Sequence, residues 1–157
     1  MAPASIDRSI SPVLRLMTLP FLGDILTKPS RDGVVRQMDL SLYDSSKVDD
    51  RFIDRVADIN IQNSNQKSFL SFMRETSGFF GMKKEIVSKA LAKLSEINVP
   101  TLIVWGKEDK ILSAKNAYET TGDMKNVKFH MMNETGHFPQ IDKPEEFNNL
   151  VLDFMKD

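Results

Sequence analysis

Up to about residue 98, hydrophobic positions recur at helical spacing; beyond it they fall into short continuous runs. Ser11 can cap a first helix carrying Val13, Leu14, Met17 and Leu19, which Pro20 and Gly23 interrupt. A second helical pattern starts after Ser30-Arg31-Asp32, with Val34, Val35, Met38 and Leu42 on one face. Asp49 or Asp50 can cap a third, where Phe52, Ile53, Val56 and Ile59 repeat at helical spacing. The polar run Gln62 to Lys67 reads as a loop, and Ser68 to Met82 carries Phe69, Phe72, Met73, Phe79 and Phe80. Ile86, Ala90, Leu91 and Leu94 then form one stripe ending at Ile97. No segment before residue 98 reads as a convincing strand.

After residue 98 the pattern becomes strand, helix, strand, helix, with no internal repeat. Thr101 to Trp105 is an apolar run between Pro100 and Gly106, the pattern of a buried parallel strand. Ala114 to Thr121 reads as a short helix with Ser113 as cap and Gly122 as stop. Val127 to Met132 is a second strand. Asp142-Lys-Pro-Glu145 has capping-box spacing and places acids in the first turn of a closing helix, where Phe147, Leu150, Val151 and Phe154 follow at i, i+3, i+4 and i+7.

The bulk composition narrows the classes. A chain of 157 residues with 41% hydrophobic and 27% charged positions is ordinary for a globular domain. Its net charge of −1 gives no electrostatic reason to expect nucleic acid or an anionic membrane as partner. The apolar stretch Pro12 to Leu26 is broken by Arg15, Pro20, Gly23 and Asp24, too often to span a bilayer or serve as a secretory signal. With no cysteine the default expectation is a cytoplasmic protein. No metal-ligand spacing, phosphate loop or dinucleotide fingerprint occurs, so no cofactor is expected.

Two short segments carry chemistry. Asp109 lies just beyond the end of its strand, three residues after Gly106, where catalytic groups gather in open α/β sheets. A carboxylate there can accept an imidazole N–H and stabilise the imidazolium formed in proton transfer. His137 follows the second strand in Glu134-Thr-Gly-His, and the glycine permits a tight turn that aims the ring towards the strand ends. Taken singly, Asp109 also reads as a solvated turn residue and His137 as an ordinary loop histidine. His130, inside the second strand, reads as a structural or exposed residue.

The pair is more specific than either member. Pro100-Thr-Leu-Ile-Val-Trp-Gly-Lys-Glu-Asp109 resembles the acid strand of the α/β-hydrolase fold family, and Gly136-His-Phe-Pro-Gln-Ile-Asp-Lys-Pro-Glu-Glu-Phe147 resembles its histidine loop and last helix. The resemblance implies Asp109 as catalytic acid and His137 as base. It covers residues 99–157 closely, as the C-terminal part of the hydrolase core. It covers 1–98 more loosely, as a helical cap, with Met-Ala-Pro-Ala-Ser at the start like the end of the strand preceding such a cap. Ser113 stands where proline is common in the family, and Asp142 where glutamate is common. The fold expected is thus α/β: a partial α/β-hydrolase fold with a helical cap and the last two parallel strands.

No Gly-x-Ser-x-Gly elbow and no His-Gly-Gly motif occurs in the sequence. Because triad members act as a unit, the chain alone is expected to be a poor enzyme. The resemblance implies hydrolysis of small, largely apolar esters or of carbon–carbon bonds in a complete enzyme; an aspartate elbow would suit a dehalogenase or epoxide hydrolase. Phe72, Met73, Phe79 and Phe80 are candidates to line a substrate pocket, although their helical spacing suits core packing better. An apolar strand with an open edge implies a homodimer, a complementing N-terminal half, or aggregation. The alternative function is a noncatalytic ligand- or partner-binding protein derived from a hydrolase.

Overall fold

The computed structural model describes residues 8–62, 65–114, 118, 121 and 124–156. The opening five residues and most of the helix expected at Ala114 to Thr121 lie outside them. Five helices come first: α1 (Pro12–Met17), α2 (Leu22–Leu26), α3 (Arg31–Ser41), α4 (Asp50–Gln62) and α5 (Gln66–Thr76). Their starts follow local chemistry. Ser11 Oγ accepts from the Leu14 N–H, Ser30 Oγ from Gly33, and Asp49 Oδ1 from Phe52, each satisfying an otherwise orphaned first-turn donor. The helix α5 begins at Gln66, so it takes two residues that the polar run had suggested were loop.

Strand β1 (Ser77–Gly78) pairs antiparallel with β2 (Gly81–Met82), which corrects the expectation of no strand before residue 98. The period-2 signal is invisible in segments of two residues each. A positive φ of 103° at Gly81 lets the hairpin turn back, and the Met82 N–H donates to the Arg8 carbonyl at 3.0 Å. Helix α6 (Lys84–Leu94) leads to β3 (Thr101–Gly106), which pairs in parallel with β4 (Val127–Met132), from Thr101 opposite Val127 to Gly106 opposite Met132. The chain closes with a short helix, α7 (Pro139–Asp142), and with α8 (Pro144–Phe154). No described helix is long and apolar enough to cross a membrane.

Two hydrophobic clusters form. One gathers Ile103 and Trp105 of β3 with Ile10, Met73, Met82, Val87, Leu112 and Met124. The other packs Val34 and Met38 of α3, and Leu42 just after it, against Ile53 and Ala57 of α4, with Phe138 and Ile141, just before and within α7, laid on it. The segment between β4 and α7 therefore bridges the two cores. The apolar stripe of α8 (Phe147, Leu150, Val151, Phe154) is only half-buried and belongs to neither cluster.

The bridge requires very close backbone approach. A Cβ on Gly106 would collide with the carbonyl oxygens of Gly136 and Thr135, and a Cβ on Gly136 would meet the Ser41 carbonyl oxygen, the Leu42 carbonyl carbon at 2.9 Å and the Tyr43 nitrogen at 3.0 Å. All of these neighbours are backbone and cannot rotate away. Gly106→Ala and Gly136→Ala are each expected to lower unfolding free energy by on the order of 2 kcal/mol or more. Urea denaturation with unchanged m-value checks this, and a wild-type midpoint would mean that the segments stand further apart.

Candidate active site

Asp109 is not a solvated turn residue. Its side chain is about 1% exposed, and its Oδ1 accepts from the N–H groups of Ile111 at 2.8 Å and Leu112 at 2.9 Å. Those donors exist because the chain turns sharply after β3, and Trp105 pins the far side of the turn by donating its indole N–H to the Leu112 carbonyl at 3.1 Å. The carboxylate is thus solvated by backbone rather than water, which a buried charge needs.

Its other oxygen, Oδ2, lies 2.9 Å from Nδ1 of His137. A carboxylate accepts, so the contact calls for the hydrogen on Nδ1; in the neutral ring that arrangement leaves the Nε2 lone pair open to a proton. The ring is about 21% exposed and tilted against Phe138, with centroids 5.2 Å apart. His130, by contrast, sits in β4 with a half-exposed ring whose Nε2 is 3.8 Å from Glu146 Oε1.

Several contacts that the sequence did not announce hold His137 in place. The turns after β3 and β4 grip each other: the Glu108 N–H donates to the Thr135 carbonyl and the Thr135 N–H donates back to Glu108 Oε2, both at 3.0 Å. The His137 N–H donates to the Ser41 carbonyl at the end of α3, at 2.6 Å. Asp142 is also displaced from its expected role. The residue before α8 is Lys143 and makes no side-chain cap; the Asp142 carboxylate instead turns inward and takes backbone N–H groups of Tyr43, Asp44 and Gly136. Capping-box spacing identified an acid but not its partners, two of which, Tyr43 and Asp44, lie 99 and 98 residues away in sequence. Just outside, Asp44 is held below the usual carboxylate range by the hydroxyl and N–H of Ser46.

Beside His137 lies a cavity of about 670 Å³. Leu14 and Met17 of α1, Val34, Leu40 and Ser41 of α3, Phe69 and Met73 of α5, and Ile111, Leu112 and Phe138 line it, with Lys28, Arg36 and Gln37 among its polar groups. Of the four pocket candidates, Met73 lines this cavity and Phe72, Phe79 and Phe80 do not. The reason is rotational. Successive helical residues turn by about 100°, so with Leu70 and Met73 inward, Phe72 points away and is half exposed. Phe79 and Phe80 occupy the hairpin tip, 51% and 82% exposed, packed edge-to-face on each other at 5.5 Å. Phe69, four residues before Met73, was the aromatic that helical spacing could have selected. The α3 wall gave no such signal, because it depends on how α3 docks. Among the described residues, no group of three or more His, Cys, Asp or Glu side chains could hold a metal ion.

Comparison with known proteins matches this architecture. A family model described as alpha/beta hydrolase fold covers residues 18–144. The chain is 26% identical over 139 residues to a 2-hydroxy-6-oxononadienedioate/2-hydroxy-6-oxononatrienedioate hydrolase of Pseudomonas putida, covering 88% of this chain and 46% of the relative. It is 24% identical over 156 residues to a 2-hydroxy-6-oxo-6-phenylhexa-2,4-dienoate hydrolase of Delftia acidovorans, covering 99% and 52%. Among solved structures, a meta-cleavage product hydrolase of Pseudomonas fluorescens superposes with a TM-score of 0.70 at 21% identity, covering 98% of this chain and 53% of that one. The chain spans about half the length of the relatives it matches. Because that family model spans residues 18–144, most of the chain, the chain belongs to the α/β-hydrolase fold family.

Proposed function

We propose that this chain supplies the acid, the base and the substrate-enclosing helices of a hydrolase that cleaves carbon–carbon or ester bonds next to a carbonyl. The observation that carries the reading is the 2.9 Å contact between His137 Nδ1 and a buried, backbone-solvated Asp109, beside a largely apolar cavity. His137 Nε2 would take the proton of an attacking hydroxyl or water as its oxygen bonds to the carbonyl carbon. Asp109 would stabilise the resulting imidazolium. The same proton would pass to the leaving carbon or oxygen as its bond to the carbonyl breaks; where the attacker is a hydroxyl, a water deprotonated by the same histidine would then cleave the resulting ester, so that one water is added overall. The helices of residues 1–98 would act as the cap, and the nucleophile would come from residues outside this sequence, which has no Gly-x-Ser-x-Gly.

The cavity lining supports a substrate class. Among the described residues it contains Lys28 and Arg36 but no aspartate or glutamate, over a floor of leucine, methionine and phenylalanine. That suits an apolar ketone or ester carrying a carboxylate. Several relatives are hydrolases of 2-hydroxy-6-oxo-dienoates, which are ketones of this kind.

The test uses the chain alone and the chain with a nucleophile-bearing partner, assayed on a 2-hydroxy-6-oxo-dienoate and on an aryl ester. The chain alone is expected to show neither turnover nor fluorophosphonate labelling. The assembled protein should do both, and His137→Ala should lower kcat by about 10³-fold or more. Lys28→Ala with Arg36→Ala should raise KM for the carboxylate about tenfold and leave that for its methyl ester within about twofold. Full turnover with His137→Ala would sink the proposal, and binding without turnover would favour a noncatalytic ligand-binding protein.

The same reading expects association. Strand β3 pairs only with β4 among the described strands, and the apolar stripe of α8 lies outside both cores. Light scattering on the isolated chain should give a dimer or larger species that a complementing half disperses. A cooperatively melting monomer would count against it.

A further inference from the structure

Asp142 is a second buried carboxylate at the site, and proton transfer by Asp109 and His137 does not use it. It is about 1% exposed. Its Oδ1 accepts from the N–H groups of Tyr43 at 3.0 Å and Asp44 at 3.2 Å; its Oδ2 accepts from Gly136 at 2.8 Å and from the same Tyr43 N–H at 3.1 Å. The Lys47 ammonium reaches the carbonyl of Asp142 and not its side chain. One carboxylate thus gathers three backbone donors from two segments, the exit of α3 and the histidine loop. Between those segments His137 returns a bond of its own, N–H to Ser41 carbonyl.

We infer that Asp142 is the positioning residue of His137: it locks the histidine loop onto the end of α3 and thereby sets the ring against Asp109 and the cavity wall. The inference rests on reading His137 as the base and names what holds that base. The geometry asks for an acid. All the groups facing the side chain are donors, and a carboxylate has only acceptor oxygens. Asparagine, of nearly the same size, would have to turn an NH₂ towards Tyr43, Asp44 or Gly136, leaving a buried donor against a donor. Gly136, one residue before His137, has backbone on two sides and cannot absorb a shift by moving a side chain. A displaced Gly136 would therefore carry the imidazole with it, and the contact with Asp109 tolerates only a few tenths of an ångström before it ceases to be a hydrogen bond.

The experiment reads the ring directly and needs no turnover, so its failure is separate from failure of the proposed activity. In the full 157-residue chain labelled with ¹⁵N-histidine, nitrogen shifts at a pH where the rings are neutral report which nitrogen carries the hydrogen. His130 serves as an internal reference. Wild-type His137 is expected in the Nδ1–H form, with Asp109→Asn as the variant that loses it. Asp142→Asn should retain helix content by circular dichroism yet drop the Nδ1–H form of His137 from about nine-tenths to below about half, leaving His130 unchanged. A folded Asp142→Asn variant with a wild-type His137 spectrum would overturn the inference and leave Asp142 a structural residue. Should the asparagine variant fail to fold, Asp142→Glu decides the matter. It keeps the acceptor oxygens on an arm one carbon longer, so the Nδ1–H form should survive while the Gly136 amide proton exchanges at least about tenfold faster. Wild-type exchange at Gly136, or loss of the tautomer despite a retained carboxylate, would overturn the inference as well.

Discussion

Gly136 is enclosed by backbone. Its carbonyl lies where a side chain on Gly106 would begin, and its own missing side chain leaves room for the Ser41 to Tyr43 backbone. Three segments far apart in sequence thus stack at van der Waals distance: the end of β3, the turn after β4 and the exit of α3. Stacked backbones place N–H and C=O groups a hydrogen bond apart, and each segment uses this. Glu108 and Thr135 exchange bonds between the first two, and His137 and Ser41 connect the second to the third. The imidazole meets Asp109 because the loop that carries it has little freedom to be elsewhere. A contact held through backbone in this way is pre-organised.

Burial of charge follows from the same compactness. The side chains of Asp109 and Asp142 are both almost fully enclosed, and among the described residues neither carboxylate bonds an ammonium or guanidinium. Each is compensated by backbone amides, the arrangement that makes a buried carboxylate tolerable without an ion pair. The two differ in what remains. Asp109 spends one oxygen on Ile111 and Leu112 and keeps the other for the imidazole, whereas both oxygens of Asp142 are engaged by backbone donors. That division separates a group that can respond to proton transfer from one that can only hold.

What was legible in the sequence was local. Thr101 to Trp105 declared itself by continuous hydrophobicity, Asp109 by its offset from the strand end, His137 by its glycine, and two helix starts by Ser11 and Asp49. Each signal lies within a few residues of what it predicts. The readings that failed or were absent depended on distant partners. Asp142 had the spacing of a cap, but its donors at Tyr43 and Asp44 are separated from it by 99 and 98 residues. Phe72, Phe79 and Phe80 were hydrophobic without being inward, because the face of α5 that turns in is fixed by Leu70 and Met73 packing. The hairpin Ser77 to Met82 is too short for any periodicity and is held by Arg8, remote in sequence.

The place of the Asp109–His137 contact between two hydrophobic clusters explains how it is held. Trp105 and Leu112 anchor the acid turn in the cluster around β3, while Phe138 and Ile141 anchor the histidine loop in the cluster of α3 and α4. Neither anchoring uses α8, whose apolar stripe is left half-covered. Formation of the Asp109–His137 contact is therefore mechanically separate from the outer face of α8 and from the edge of β3 that pairs with no described strand. In a two-core arrangement, moving one core relative to the other would open the contact with little loss of packing within either. The polar bonds across the junction oppose that motion, since each one broken would leave a buried amide or carboxylate unpaired. Hydrophobic packing builds the two sides of the contact, and the hydrogen bonds between them fix the distance between Asp109 and His137.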